Sequence, residues 1–413
     1  MPSSVTAQFD APAAIARATR LSRYARNLLS ADPALAEAPF SEPFSAAQMR
    51  ESLGSIGEND EEALNKALRK LRQALMLRLI VRDLAGLADL AEVVAGATEL
   101  AEQTLDAALR WHERDLVRQY GRPLGQESGN LLQLHVVGMG KLGGAELNVS
   151  SDIDLVFAYP EEGETGGTRR ISVQEFFTRL TRKLIGAISE TTADGFVFRV
   201  DTRLRPYGEG GPLVVNFDML EDYFVTQGRE WERYAWVKAR LLTGDRSAEL
   251  DATVTPFVYR RHLDFSALAS LRGLHAQIRQ EVQRREIADN IKLGPGGIRE
   301  VEFLVQVFQL IRGGRETPLR IRPTLQALAL LGERQLLPAD AVAELRTAYI
   351  YLRNLEHRLQ YLDDQQTQTL PQGAEDRQAV AEMMGHADYD LMRRELDVHR
   401  AAVTRHFEAI FAA

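Results

Sequence analysis

Hydrophobic spacing along the first part of the chain is helical. Leu64, Leu68, Leu71, Leu75 and Leu79 recur at steps of three and four. That period lays them on one stripe and predicts an α-helix over 61–83, with the same pattern running on through 88–112. Residues 1–110 are rich in Ala and Leu and poor in β-branched runs, so they read as a helical bundle. The pattern changes near residue 121. A turn-rich stretch (121–130) leads to a strand at 131–137, a glycine cluster at 138–144, and a second strand at 152–159. A polar loop (161–167) and a helix (172–190, with Phe176, Phe177, Leu180, Leu184 and Ile188) follow. Then come a third strand at 196–204 and a short fourth at 213–217. Beyond 218 the spacing predicts helices to the end, at 220–229, 268–287, 299–312, 323–331, 340–362 and 389–412. This order predicts an α+β fold, a small mixed sheet between two helical regions. The expected divisions are 1–120, 121–265 and 266–413.

Composition narrows the class. Of 413 residues, 45% are hydrophobic and 26% charged, which excludes collagen-like and disordered chains. With no cysteine there is no disulfide, no thiol nucleophile and no Cys-ligated metal. A net charge of −8 without a long basic tract argues against nucleic acid or a membrane surface as partner. Residues 1–20 lack a signal-peptide pattern, and no apolar run reaches the roughly 20 residues of a spanning helix. A soluble, cytoplasmic protein is expected.

Candidate chemistry sits in the sheet. In a strand, Asp152 and Asp154 point one way while Ile153, Leu155 and Phe157 face the core. Carboxylates that close repel each other, and Mg²⁺ (or Mn²⁺) neutralises such a pair while sharing its hard oxygen ligands with phosphates. Asp201, on the third strand, completes a three-carboxylate cluster able to hold two metals if that strand is a neighbour. The competing reading of Asp-x-Asp is a solvated strand end.

The cluster Gly138-Met-Gly-Lys-Leu-Gly143 matches a dinucleotide-binding fingerprint. Only about eight residues separate it from Asp152, too few for a crossover helix, so that reading is excluded. Instead, Gly143 and Gly144 allow close backbone approach, and exposed N–H groups there can cradle phosphate oxygens. Lys141, Ser150 and Ser151 lie within reach of the same pocket. Arg203 and Arg205 alternate with Asp201 along the strand and so share its face, either gripping phosphate or pairing with acids. Residues 292–302 read equally as a nucleotide-touching helix start, with Arg299, Glu300 and Glu302 near the pocket, or as a capping loop with a salt-bridged helix. Trp231 and Trp236 read as packing residues, with base stacking the alternative for Trp231.

The order Gly-Gly, Asp-x-Asp, later Asp resembles the nucleotidyltransferase superfold of DNA polymerase β. The string 138–155 resembles the bifunctional glutamine synthetase adenylyltransferase/adenylyl-removing enzymes, as do 201–206, 231–240, 292–303 and 364–371. Met139, Asn148-Val-Ser-Ser151 and Gly294-Pro-Gly-Gly297 resemble the N-terminal, adenylyl-removing half of that family, so the chain is expected to be that half alone. The resemblance implies a polymerase-β-like core and a phosphorolysis. Inorganic phosphate attacks AMP carried on a tyrosine of adenylylated glutamine synthetase and leaves as ADP. It assigns Asp152 and Asp154 to Mg²⁺, Asp201 to a second metal or the attacking phosphate, and Gly143, Gly144 and Ser151 to phosphate oxygens. It also implies regulation by the PII signal protein and glutamine. Forward adenylyl or uridylyl transfer to a protein, or a silent module binding glutamine synthetase or PII, are the alternatives. The absence of a following histidine–aspartate hydrolase cluster disfavours uridylyl transfer.

Overall fold

The computed structural model describes residues 9–54, 57, 60–260 and 289–411, so the helix expected at 268–287 lies outside the described residues. In the N-terminal region, α1 (Ala11–Leu21), α2 (Arg23–Ala31) and α3 (Ala46–Leu53) pack around α4 (Glu61–Leu84) and α5 (Leu90–Tyr120). Both long helices begin on a carboxylate cap. Asp60 accepts the Ala63 N–H and Asp89 the Glu92 N–H. The leucine stripe of α4 is buried along its length. Gly121 ends α5 at φ 82°, and a Cβ there would sit 2.2 Å from the Gly167 backbone, so only glycine fits.

The middle of the chain runs β1 (Pro123–Gly125), β2 (His135–Gly138), α6 (Gly140–Gly143), β3 (Asp152–Tyr159), β4 (Gly163–Thr165), α7 (Val173–Ser189), β5 (Arg199–Asp201), β6 (Val214–Asn216), α8 (Phe217–Thr226), α9 (Glu230–Trp236), β7 (Arg240–Thr243) and α10 (Ser247–Val258). β3 is the centre of a mixed five-stranded sheet. β2 pairs with it antiparallel, while β5 and β6 run parallel to it, β5 at its start and β6 at its end. β7 pairs with β2. From Leu155 onward β3 is buried on both faces, so Asp152 and Asp154 are its only accessible side chains. Helix α7 crosses β5 and β6. Its C-terminal carbonyls are capped from α4, where the buried Arg69 donates to Ala187 O at 3.1 Å and to Glu190 O.

Several expectations need correction. β1 and β4 form a two-stranded sheet where a turn and a loop were read, because strands as short as Pro-Leu-Gly and Gly-Glu-Thr give no recognisable hydrophobic alternation. β7 interrupts a stretch read as helical throughout. The first strand begins at His135, and the third shrinks to Arg199–Asp201 because the chain turns at Thr202. The antiparallel β2–β3 pairing agrees with the exclusion of a crossover helix after the glycine cluster.

The C-terminal region comprises α11 (Ile298–Arg312), α12 (Thr324–Glu333), α13 (Ala339–Tyr361), α14 (Ala374–Met383) and α15 (Tyr389–Phe411). Helix α13 touches both other regions. Arg353 donates to Glu146 O and Asn148 Oδ1, each at 2.7 Å. Arg358 and Tyr361 both donate to Asp83 of α4, at 2.7 and 2.6 Å. Among the described residues no helix is long and apolar enough to cross a membrane.

Asp83 is the buried counter-charge of Arg358. Asp83→Asn should cost about 3 kcal/mol, read as a lower urea midpoint at unchanged m-value, because it strands a guanidinium in the interior. A paired Asp83→Leu/Arg358→Leu variant should recover most of that loss. Equal stability of Asp83→Asn and parent would contradict this role.

Candidate active site

The parallel register of β3 and β5 sets Asp152 opposite Arg199 and Asp154 opposite Asp201. Because alternate residues share a face, Asp152, Asp154 and Asp201 all open onto one cleft of about 560 Å³. Its basic walls are Lys141, Arg203, Lys238, Lys292 and Arg299, with Glu302, Trp231, Tyr234 and Gln366 between them.

Each aspartate is held differently. Asp152 accepts Arg199 Nε at 2.6 Å. Asp201 accepts the Arg203 N–H at 2.8 Å and its guanidinium, and that side-chain bond draws its pKa below the ordinary carboxylate range. Asp154 receives no hydrogen bond from a described side chain. Burial pushes its pKa up to about 6, the Asp201 charge adds to this, Lys292 opposes it, and Asp152 contributes further upward. Among the described residues, no three acidic or histidine side chains close into a metal-holding group. The condition on which Asp201 joins the pair is met, since β5 lies alongside β3 and all three aspartates line the cleft, with Arg199 paired to Asp152 and Arg203 to Asp201.

Gly140 lies at φ 52°, where a Cβ would fall 2.9 Å from Asp154 Oδ2. Only glycine lets the turn pass so close to that carboxylate. Lys141, next in sequence, donates to the fully buried Glu356 at 2.8 Å. Burial lowers its pKa to about 7 against the pull of Glu356. Burial works against the Glu356 carboxylate in turn, and Lys141, Arg353 and Lys292 outweigh it and keep Glu356 ionised. Glu302 behaves alike, with Lys238, Lys141, Arg353 and Lys292 prevailing over burial.

Of the residues singled out by sequence, the fold brings Lys141, Ser151, Asp152, Asp154, Asp201 and Arg203 to the cleft. It takes four elsewhere. Gly143 is a packing glycine, whose Cβ would fall 2.0 Å from Lys238 O and 2.4 Å from Gly138 O. Gly144 is buried against Glu146 and Lys238. Ser150 is consumed by structure, its N–H on Gln360 and its hydroxyl on Asp364 O. Arg205 lies beyond the strand and folds onto Thr202 and Glu209 O, so it does not share the face of Asp201. The stretch 292–302 divides between the cleft and its own loop. Lys292, Arg299 and Glu302 line the cleft, while Glu300 accepts the Gly296 N–H as a loop cap. The two tryptophans separate as well. Trp236 is core, and Trp231 stands 40% exposed on the cleft wall. Gly140, Tyr234, Lys238 and Gln366 escaped the sequence reading because each enters the cleft from a different element.

Residues 13–254 match the family model described as glutamate-ammonia ligase adenylyltransferase, and 272–411 match one described as GlnD PII-uridylyltransferase. The bifunctional glutamine synthetase adenylyltransferase/adenylyl-removing enzyme of Chromobacterium violaceum is 56% identical over 402 residues, 97% of this chain and 45% of that protein. Its counterpart in Nitrosomonas eutropha is 53% identical over 401 residues, 95% and 43% of the two chains. That of Burkholderia mallei is 52% identical over 413 residues, 95% and 44%. The chain thus spans less than half the length of these curated relatives.

The raised pKa of Asp154 has a consequence for stability. A carboxyl that binds its proton more tightly when folded destabilises the fold once ionised, so stability falls as pH rises from about 4 to about 6 on this account. In EDTA, Asp154→Asn should be more stable than the parent at about pH 8, by at most about 3 kcal/mol, and the gain should vanish near pH 4. Urea titrations at both pH values measure it, and a destabilised Asp154→Asn at alkaline pH contradicts the repulsion.

Proposed function

The chain belongs to the glutamate-ammonia ligase adenylyltransferase family, and from that premise we propose that it is the adenylyl-removing half, releasing AMP from glutamine synthetase by phosphorolysis. The observation that carries this reading is the cleft itself, where the aspartates of β3 and β5 face a wall of lysines and arginines. A site with both charges on opposing walls suits a phosphoryl-centre reaction, in which positioning and charge neutralisation dominate. The relatives' name joins two opposed activities, and this chain covers less than half their length. The resemblance of Met139, Asn148-Val-Ser-Ser151 and the Gly294–Gly297 loop to the N-terminal half of that family implies the removing one.

The donor set fits magnesium. That ion takes one or two carboxylates and leaves its other positions to water and phosphate oxygens, so a closed protein cage is not required. Asp152 and Asp154 would hold it, with Asp201 alongside. Bound there, the cation would neutralise charge on the phosphoryl oxygens under attack.

The chain's own residues supply the remainder. Lys292, Arg299 and Arg203 offer charge-assisted donors to the substrate's phosphate oxygens and to the attacking phosphate. Lys141 is fixed by Glu356 beside the Gly140 turn. Trp231 presents a flat indole suited to the adenine face. A hydrogen phosphate oxygen bonds to the adenylyl phosphorus, the bond from phosphorus to the tyrosyl oxygen breaks, and the proton from hydrogen phosphate passes to that oxygen. The products are ADP and free tyrosine hydroxyl, with charge conserved, and no histidine base is needed.

Incubation with adenylylated glutamine synthetase, phosphate and Mg²⁺ should release ADP. Free AMP would indicate hydrolysis, and consumption of ATP with labelling of the unmodified synthetase would indicate the forward reaction. Asp154→Asn should abolish turnover with the fold intact. Trp231→Ala should raise KM for the adenylylated substrate about tenfold, the scale of one base–aromatic stack. An unchanged KM removes Trp231 from the base site.

A further inference from the structure

Two late stretches of the chain meet at the edge of the cleft. Asn290 and Thr369 form an isolated bridge, the Ile291 N–H donates to Gln368 O at 2.8 Å, and the Leu370 N–H to Asp289 O at 3.0 Å. This pairing fixes the downstream end of the segment that follows α13. The upstream end is fixed at Asp364, which sits at φ 55°. Its carboxylate pairs with Arg72 of α4 at 2.7 Å, and Arg72 also donates to Tyr24 OH at 3.0 Å. The Asp364 carbonyl accepts the Ser150 hydroxyl at 3.0 Å.

Gln366 stands between these anchors and reaches the sheet. The end of its amide group lies 3.0 and 3.1 Å from the two carboxylate oxygens of Asp152, and since a carboxylate only accepts, the amide is assigned with its nitrogen turned to that side as the donor. Arg199 Nε also donates to Oδ1 at 2.6 Å. Two donors therefore fix the Asp152 carboxylate, one charged and one neutral. The neutral one matters most for a cation site. A primary amide orients a carboxylate without bringing a positive charge that competes with a metal ion. Such outer partners of a ligating group usually set its affinity.

We propose that Gln366 is a positioning residue that holds Asp152 in the orientation a divalent cation requires. Its own place is set from the N-terminal helices through the Arg72–Asp364 pair. The inference rests on the reading of Asp152 and Asp154 as the cation site. It makes that site a joint product of three regions: the sheet carries the carboxylate, the segment after α13 supplies the amide, and α4 anchors the segment.

The test uses the 413-residue chain and Mn²⁺ alone, titrated by electron paramagnetic resonance without substrate. Gln366→Met keeps the length of the side chain and removes its donor. Because Gln366 is exposed, the fold should tolerate the change, which the thermal midpoint in EDTA verifies. Mn²⁺ should bind this variant at least about tenfold more weakly. In an Asp152→Asn background the same substitution should have no further effect, since the residue acts through Asp152. Equal affinity of Gln366→Met and parent overturns the inference alone. So does an undiminished loss in the Asp152→Asn background. Failure of the parent chain to bind Mn²⁺ overturns the cation-site reading and this inference with it.

Discussion

The parallel pairing of β3 with β5 is the constraint on which the site depends. It lays Asp154 beside Asp201 at the one end of β3 that is not buried on both faces. A slip of one residue would put Val200 opposite Asp154 and send Asp201 to the other face of the sheet. Ile153, fully buried, and Val200, packed against the same core, oppose such a slip. The register thus follows from ordinary hydrophobic burial, yet it forces like charges together. Asp154 bears the result, buried beside a second carboxylate and shifted towards neutrality. Arginines on Asp152 and Asp201, and Lys292 across the cleft, offset part of that repulsion.

A second set of charges holds the site from below. Lys141 bonds Glu356, Lys238 bonds Glu146 and Thr324, and Arg353 bonds Glu146 O and Asn148. These contacts join the glycine turn and the approach to β3 to α12 and α13. Removing one member of such a group is costly, since its partner stays buried and charged. Apolar packing would tolerate small displacements of α13, whereas directional ion pairs permit one seating. The glycine turn beside Asp154 is consequently tied, through Lys141, to a helix more than two hundred residues further along the chain.

Particular residues show where sequence reasoning reached and where it stopped. Asp152 and Asp154 were legible because alternation in a strand is a local rule, and buried Ile153 and Leu155 enforce it. Asp201 was legible only conditionally, since its role needed β5 to be a neighbour. Gly143 and Gly144 were misplaced because a tight turn holds glycines for two reasons, approach to a ligand and approach to the chain's own backbone. Gly143 meets the second, while Gly140 lets the turn pass close to the Asp154 carboxylate. Arg205 failed for a related reason, since alternation holds only while the strand lasts, and the chain turns after Asp201.

By itself the sequence determined the elements whose causes lie within a few residues: the leucine-striped α4, the Asp-x-Asp strand, and a glycine turn too short for a crossover. It also determined the class, a small mixed sheet between helical regions. Only the tertiary structure decided which cations meet which carboxylates. Lys238 and Gln366 enter the cleft from segments far apart in the chain, and nothing local to them marks their destination. The reason is physical. Helix and strand periodicities act over one or two turns, whereas a charge senses every group within several ångströms, and which groups those are depends on how the whole chain has packed.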